Sequence, residues 1–204
     1  MYLLSTTYFG PVQWYSKLAS GRPCLIDTHE HYVKQTYRNR CIIATTAGTQ
    51  ALTVPIERTG EGKCPVADIR ISDHGQWRHL HWNALVSAYG ESPFFEFYAD
   101  DLRPFFEKRW EWLADYNDAI TRTLCDLLGI TPDIRHTDAY ADASALGAID
   151  LRDAIRPKHP EEDEAFTPRP YYQVYAAKHG FQPNLSILDL LFNEGPEAPL
   201  YLIK

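Results

Sequence analysis

The chain has 204 residues, a length that suits one folded domain with a sizeable hydrophobic core. Apolar residues make up 45% of it, and a net charge of −7 without a basic stripe excludes a nucleic-acid backbone as the expected partner. The apolar runs are too short to span a bilayer, and the N-terminus lacks the pattern of a secretory leader. The four cysteines form no CxxC pair, which predicts reduced thiols, a cytoplasmic protein and no metal or other cofactor.

The N-terminal residues predict a strand, a helix and a second strand. Residues 2–9 are strand-like, residues 11–20 are helical with Pro11 at the first position, and residues 24–27 form the second strand. This order is typical of α/β sheets, which bind ligands beyond the carboxyl ends of their strands. The stretch from Asp27 to Cys41, which follows the second strand, is therefore the first candidate for a site.

A hairpin and several helices follow. Strand-like residues 40–46 and 50–57 flank a turn at Ala47 and Gly48, which predicts a β-hairpin. The next predicted elements are a loop over 57–66, a strand over 67–72, a helix over 77–89, a helix capped at Ser92 and Pro93, and a helix from Phe106 to Leu127 with one break.

The pattern weakens after Pro132. Residues 136–144 and 158–170 are polar and predict loops, residues 171–180 predict a short helix, and Ser186 is the predicted cap of a last helix that stops at Gly195. The fold class is therefore α/β. We expect a mixed sheet from the N-terminal half, packed against helices of residues 76–130, with a wrapping C-terminal helical segment in one domain over 1–204.

Three neighbouring residues are candidates for catalysis: His29, Glu30 and His31. Histidine titrates near neutral pH, and a neighbouring carboxylate orients it for proton transfer. The alternative is a polar loop at a strand end with no chemistry. The histidines lack the spacing of metal ligands, so no metal site is predicted.

A cationic pattern follows these residues. In an extended segment Lys34, Thr36, Arg38 and Arg40 would share one face, which predicts contacts with the phosphate of a small-molecule or sugar-linked substrate. Asn39 lies between the two arginines and is assigned to the same set, as is Tyr8 at the end of the first strand. The alternative is a solvated charged face. We expect Arg38 and Arg40 to face one pocket that binds an anion.

Four stretches resemble the WbqC-like protein family, bacterial proteins associated with surface-polysaccharide gene clusters. They are "YFGPVQWYSKL", "IDTHEHYVKQTYRNRC", "LTVPI" and "HWNALVSAYGESPFF" with the preceding Trp77. The resemblance covers residues 3–130, and the C-terminal end is similar to one branch of the family. Many members carry His-Gln-Pro where this chain has Ser5-Thr6-Thr7. If that histidine is catalytic in the family, this chain either lacks the chemistry or supplies a base from another position, with His29 and His31 nearest.

The resemblance implies a role in glycan biosynthesis of the O-antigen type. The expected activity is that of a transferase acting on an activated sugar or on an acyl or aminoacyl donor. A non-catalytic ligand-binding or assembly module is the alternative. The sequence leaves the donor, the acceptor and the oligomeric state open.

Overall fold

A computed structural model describes residues 1–57 and 63–203. The strands and helices come in this order: β1 (Tyr2–Ser5), α1 (Val12–Leu18), β2 (Cys24–Asp27), β3 (Arg40–Thr45), β4 (Gly48–Thr53), α2 (Trp77–Tyr89), α3 (Phe95–Leu102), α4 (Pro104–Glu107), α5 (Leu113–Leu127), β5 (Ile134–His136), α6 (Ala143–Leu146), β6 (Ile149–Asp150), α7 (Ala176–His179), α8 (Ile187–Glu194) and α9 (Pro199–Leu202). Single 3₁₀ turns at Val66–Asp68 and Gly195–Glu197 complete the set.

The first sheet is parallel, with the strand order β5–β2–β1–β6. β1 and β2 pair from Tyr2 beside Cys24 to Ser5 beside Asp27, and β6 pairs with the other side of β1. The chain thus adds β2 and β5 on one side of β1 before it crosses to add β6 on the other. In open α/β sheets, ligands bind outside the carboxyl ends of the strands where the order reverses in this way. Here that point lies between β1 and β6.

The second sheet is the antiparallel hairpin β3–β4, which confirms the predicted hairpin. Its inner strand is held by other parts of the chain: the backbone N–H of Ala44 donates to Tyr89 Oη at 3.0 Å, and that of Ser186 donates to the Ile42 carbonyl at 2.8 Å. The α/β class is confirmed, with parallel and antiparallel strands in two separate sheets. The parallel sheet also takes β5 and β6 from the chain after Pro132, where the sequence pattern weakens and no strand was predicted.

The helices agree with the periodic segments of the sequence. α1, α2 and α5 lie where they are predicted, and Ser186 caps α8 by accepting a hydrogen bond from the backbone N–H of Leu188. The expected break before α5 falls at residues 108–112. This segment is extended because the backbone N–H of Ile71 donates to the Glu111 carbonyl at 2.8 Å, and Arg70 forms a β-bridge with Trp112.

Three local predictions need correction. β1 ends at Ser5 and not at residue 9, because the backbone turns away from the sheet and Phe9 has a φ of 42°. The strand predicted over 67–72 is replaced by the turn Val66–Asp68 and isolated bridges. α3 begins at Phe95, and the Ser92 hydroxyl donates to the Tyr89 carbonyl without capping that helix. Residues 58–62 of the predicted loop lie outside the described residues.

Aromatic side chains join the end of β1 to the helices. Phe9 stacks on Phe106 with ring centroids 5.7 Å apart, and Tyr8 lies 5.8 Å from Tyr116. Trp77 contacts the same Tyr116 ring edge-on at 6.3 Å. Such buried rings remove large apolar areas from water. The carboxyl end of β1 is therefore fixed to the helices next to the point where the strand order reverses.

Candidate functional site

A cavity of about 430 Å³ opens at the carboxyl edge of the parallel sheet. Its lining comes from the loop after β2 and from the chain around β6, the two places that flank the reversal of strand order. The lining residues are Glu30, His31, Val33, Arg38, Tyr140, Asp150, Arg152, Asp153, Ala154 and Glu161. We refer to it below as the edge cavity.

Asp27, the last residue of β2, organises the wall of this cavity. It is fully buried, and its carboxylate accepts hydrogen bonds from the backbone N–H groups of His29, Glu30 and Ala141 and from the Thr137 hydroxyl. Arg152 Nη1 donates to Asp27 Oδ2 at 2.6 Å. A buried carboxylate needs such partners to replace lost hydration. Asp27 therefore fixes three chain segments relative to one another.

Arg152 carries this network from the sheet into the cavity. Its Nε and Nη2 bind both carboxylate oxygens of Asp150 at 3.0 and 2.6 Å, in a two-pronged contact. The Tyr140 ring lies 4.9 Å from the guanidinium carbon, a cation–π distance. Hydrogen bonding to Arg152 lowers the pKa of the Asp150 carboxyl, although its partial burial acts against this. The Asp150 charge is therefore stable at the rim.

Glu30 and Arg38 form a second buried pair on the opposite wall. Arg38 Nε donates to Glu30 Oε1 at 2.9 Å and Nη2 donates to Oε2 at 2.5 Å, while only 2% of the Arg38 side chain is exposed. Burial raises the pKa of Glu30, and the hydrogen bonds from Arg38 act in the opposite direction. Both groups touch the edge cavity, so a ligand there would meet an oriented carboxylate beside a guanidinium group.

The loop that carries these residues is a turn, which corrects the extended segment assumed from the sequence. Gln35 has a φ of 62°, and the Thr36 hydroxyl donates to the Val33 carbonyl at 2.7 Å. The reversal points Arg38 back toward Glu30 and leaves Lys34 exposed. The alternating cationic face is therefore absent.

The predicted catalytic residues separate in space. Glu30 and His31 line the cavity, whereas His29 Nδ1 lies 3.3 Å from the Thr137 hydroxyl. His31 is exposed and forms a β-bridge with Pro65. Of the two predicted histidines, His31 is therefore the one that faces the cavity. Its role in catalysis stays a prediction.

The predicted binding residues are also dispersed. Arg38 lines the cavity, but Tyr8 has no exposed surface and its hydroxyl lies 2.9 Å from His81 Nδ1. Asn39 Nδ2 donates to the Val54 carbonyl at 2.8 Å, and Arg40 Nε donates to the Thr53 hydroxyl at 3.1 Å. These contacts anchor the start of β3. Ligand contacts by Tyr8, Lys34, Thr36, Asn39 and Arg40 remain predictions without support from this geometry.

Seven of the ten lining residues were not singled out by the sequence. Two of them, Val33 and Ala154, are apolar, and the other five are Tyr140, Asp150, Arg152, Asp153 and Glu161. One sequence signal could have indicated Asp150. It is the acid at the end of the short apolar run "AID", which repeats the pattern of "CLID" at β2. A two-residue strand is too short for this signal to stand out against a loop.

The charges of the lining favour neutral or cationic ligands. Four carboxylates face two guanidinium groups, and each guanidinium group is already bound to a carboxylate. A free phosphate would meet an excess of negative charge here. The lining therefore disfavours the predicted anion site at Arg38, although it offers both donors and acceptors to hydroxyl groups.

Two further chemical features bear on the site. Within the described part of the chain, no group of three or more His, Cys, Asp or Glu side chains is placed to hold a metal ion. Over residues 1–57 and 63–203, no helix has the length and apolar character needed to cross a membrane.

His81 lies among the buried rings of Tyr8 and Trp77. Its burial leads us to expect that stability depends on pH. Burial lowers its pKa from 6.5 to about 4, because desolvation disfavours the imidazolium form. Between these pH values the unfolded chain binds a proton that the folded chain does not. The stability that neutral His81 contributes is therefore complete above its unfolded pKa of 6.5 and is lost as the pH falls toward 4.

We expect wild type to lose up to about 1.4 kcal/mol of unfolding free energy per pH unit through His81 in this window. Because buried Glu30 and Asp189 have raised pKa values and act in the opposite direction, the useful quantity is the difference from His81→Leu. Urea unfolding at about pH 4.5, 5.5, 6.5 and 7.5 measures it. Parallel curves for the two proteins would contradict the assignment.

Comparisons with known proteins agree with the sequence motifs. The model of the WbqC-like protein family matches residues 7–156, which include both buried ion pairs of the edge cavity. The chain is 31% identical over 199 residues to "Uncharacterized protein Rv1507c" of Mycobacterium tuberculosis (strain ATCC 25618 / H37Rv), covering 84% of this chain and 83% of that protein. No solved structure matches the chain. On the extent of the family match and the identity to this relative, the chain belongs to the WbqC-like protein family.

Proposed function

We propose that the protein is a cytoplasmic transferase of glycan biosynthesis that holds a sugar acceptor in the edge cavity. The observation that carries this proposal is the pairing of oriented carboxylates and guanidinium groups around one cavity at the reversal of strand order. The donor would be an activated sugar or an acyl or aminoacyl group, as the family resemblance implies. The cavity as the acceptor site is our own inference.

Sugar hydroxyls suit this lining because each hydroxyl both donates and accepts hydrogen bonds. The carboxylates of Glu30 and Asp150 provide acceptors, and Arg38 and Arg152 provide donors beside them. Tyr140 is 62% exposed, so the free face of its ring can cover the apolar face of a sugar. A cavity of about 430 Å³ has room for one sugar ring and the reacting end of a donor.

The excess of negative charge further favours a sugar that carries an amino group. Asp153 and Glu161 are exposed in the lining; Glu161 lies 3.9 Å from Arg156, a longer contact than those of the two buried pairs. An ammonium group between them would gain charge-assisted hydrogen bonds. To accept an acyl group, this nitrogen first loses one proton, which we assign to His31, since Glu30 is held at both oxygens by Arg38. The neutral amine then forms the N–C bond, the bond to the donor's leaving group breaks, and a second N–H proton passes to that leaving group.

Binding of glucosamine, glucose and N-acetylglucosamine by calorimetry tests the proposal. We expect glucosamine to bind about tenfold more tightly than the other two sugars, since it alone of the three carries a protonated amine. The double variant Asp153→Asn/Glu161→Gln is expected to remove this preference while leaving glucose binding unchanged. Glu96→Gln, at an exposed position on α3, is the matched control. Equal affinities for the three sugars in the wild-type protein would refute the amine assignment.

A non-catalytic binding module is the second candidate, because both buried guanidinium groups are already paired within the protein. A transfer assay separates the two functions: glucosamine and an acyl thioester are incubated with the protein, and the product is followed by mass spectrometry. We expect His31→Ala to retain glucosamine binding but lose transfer. Binding without any transfer by the wild-type protein would favour the module.

A further inference from the structure

A second cavity, of about 240 Å³, lies at the opposite end of the parallel sheet from the edge cavity. It begins at Tyr2, the first residue of β1, and is closed by the C-terminal end of α1 and by α9. Its lining residues are Tyr2, Ser16, Lys17, Ser20, Ala165, Phe166, Thr167, Arg169, Tyr201, Leu202 and Ile203. We refer to it as the rear cavity.

Lys17 is the first feature that indicates a ligand. Its side chain is 2% exposed, and its Nζ lies 2.6 Å from Asp163 Oδ2. An ammonium group carries three N–H donors. The short contact with Asp163 uses one of them, and the same Nζ lies 5.5 Å from the centre of the Tyr2 ring. No other described acceptor meets Lys17 Nζ, so the remaining donors are unused. Buried donors without acceptors are costly, and an acceptor in the cavity would relieve this cost.

Arg169 is the second feature. Its Nη1 donates to the backbone carbonyls of Leu200 and Ile203 at 2.5 and 3.2 Å, and its guanidinium carbon lies 5.5 Å from the centre of the Tyr201 ring. These partners are uncharged. Among the described residues no carboxylate forms an ion pair with Arg169, so its positive charge acts on the cavity.

The charge of the lining is the third feature. Among the residues that the structure describes, two cations and no acid line the rear cavity, in a chain whose net charge is −7. Asp163 balances Lys17 from outside the lining, so the local excess comes from Arg169. The Ser16 and Ser20 hydroxyls donate to the carbonyls of Gln13 and Lys17. The Ser20 oxygen also accepts from the backbone N–H of Arg22 at 3.3 Å, so each serine oxygen keeps at least one lone pair that can accept a hydrogen bond. The lining therefore suits an anionic group joined to a hydroxyl-bearing one, the reverse of the edge cavity.

We propose that the rear cavity binds a phosphomonoester of a small hydroxylated molecule. The guanidinium group of Arg169 suits two phosphate oxygens at once, and Lys17 adds a point charge with unused donors. The serine oxygens accept hydrogen bonds from hydroxyl groups of the organic part, and the rings of Tyr2 and Tyr201 form the walls around it. The size of the cavity limits the ligand to a phosphate with a substituent no larger than one sugar ring.

Glucose 1-phosphate, inorganic phosphate and glucose are the probes, measured by calorimetry on the whole chain. We expect glucose 1-phosphate to bind saturably, inorganic phosphate to bind more weakly, and glucose to show no binding that depends on the rear cavity. Arg169→Gln should weaken glucose 1-phosphate binding at least about tenfold. Arg109→Gln, whose side chain is 82% exposed, is the matched control and should bind as wild type does.

A second variant removes Lys17 without leaving a buried charge behind. The double variant Lys17→Met/Asp163→Asn is expected to lose binding to the same extent, and thermal unfolding checks that it folds. If it does not fold, Arg169→Gln decides the question by itself. Absence of saturable binding by the wild-type protein overturns the proposal, as does binding that Arg169→Gln leaves unchanged.

The two cavities are tested separately. Asp153→Asn/Glu161→Gln should leave glucose 1-phosphate binding intact, and Arg169→Gln should leave glucosamine binding intact. If the variant at the edge cavity changes glucose 1-phosphate binding and Arg169→Gln does not, the phosphate binds at the edge cavity and the rear cavity is not its site.

Discussion

Asp27→Ala is expected to lower the free energy of unfolding by about 3–5 kcal/mol, because it removes a fully buried carboxylate together with its ion pair to Arg152 and all of its hydrogen bonds. Arg152 keeps its contact with Asp150. The substitution also removes the acceptor of three backbone N–H groups, those of His29 and Glu30 just after β2 and that of Ala141. Each unmet donor adds to the loss, since a buried N–H without a partner is costly. Urea unfolding at neutral pH measures the change directly.

Two variants define the expected scale. Asp27→Asn keeps one carbonyl oxygen as an acceptor but removes the charge, so its loss of stability should be smaller than that of Asp27→Ala. Glu111→Ala breaks an ion pair with Arg70 in which both side chains are half exposed, and it should change stability by about 0–1 kcal/mol. If Asp27→Ala proved as mild as Glu111→Ala, Asp27 would not hold the site together.

Arg38→Met is expected to cost a similar amount, about 3–5 kcal/mol, because it leaves Glu30 buried without its cation. Adding Glu30→Gln to this variant should restore at least half of the loss, since the double variant buries no unpaired charge. A double-mutant cycle measured by urea unfolding gives the coupling between the two residues. We expect this coupling to be favourable, since each residue is the buried charge partner of the other.

The same variants address ligand binding at the edge cavity. The double variant should be more stable than Arg38→Met and yet bind glucosamine at least about tenfold more weakly than wild type, because an oriented donor and acceptor are both lost. Retention of full affinity in the double variant would show that the Glu30–Arg38 pair supports the fold and does not contact the ligand.

Much of the fold could be predicted because its main elements carry strong local patterns. The apolar run "CLID" gives β2, and the helical period from Leu113 to Leu127 gives α5. The position of the site was also predictable in part, because a strand ending in Asp27 marks the carboxyl edge of an α/β sheet. Local pattern thus located one wall of the edge cavity.

The pairing within that wall could not be predicted from the same pattern. Glu30 and Arg38 meet because Gln35 adopts a left-handed conformation, which is uncommon for residues other than glycine. Periodicity assigned Arg38 to an extended face, and nothing local to the sequence marks the reversal. The partner of a charged side chain is set by the path of the backbone between the two residues.

The opposite wall depends on contacts that are distant in sequence. Asp150 belongs to a strand of two residues, and β6 is stable only because it pairs with β1. A strand of this length carries too few residues for alternation to be detected. Residues 137–161 therefore have the composition of a loop, although they supply six of the ten residues that line the edge cavity.

The contact between Asp27 and Arg152 spans 125 residues of chain and has a consequence for the order of folding. The entropy of the intervening loop opposes a contact of such long range until other contacts have ordered part of that loop. The first wall can form with β1 and β2, but the second must wait for β6 to dock. The edge cavity is then complete only after β6 has docked, and it opens when β6 detaches from β1. A molecule bound in the edge cavity would contact both walls and hold β6 in place. Its binding should therefore slow amide hydrogen exchange most at residues 137–161, far along the chain from β2.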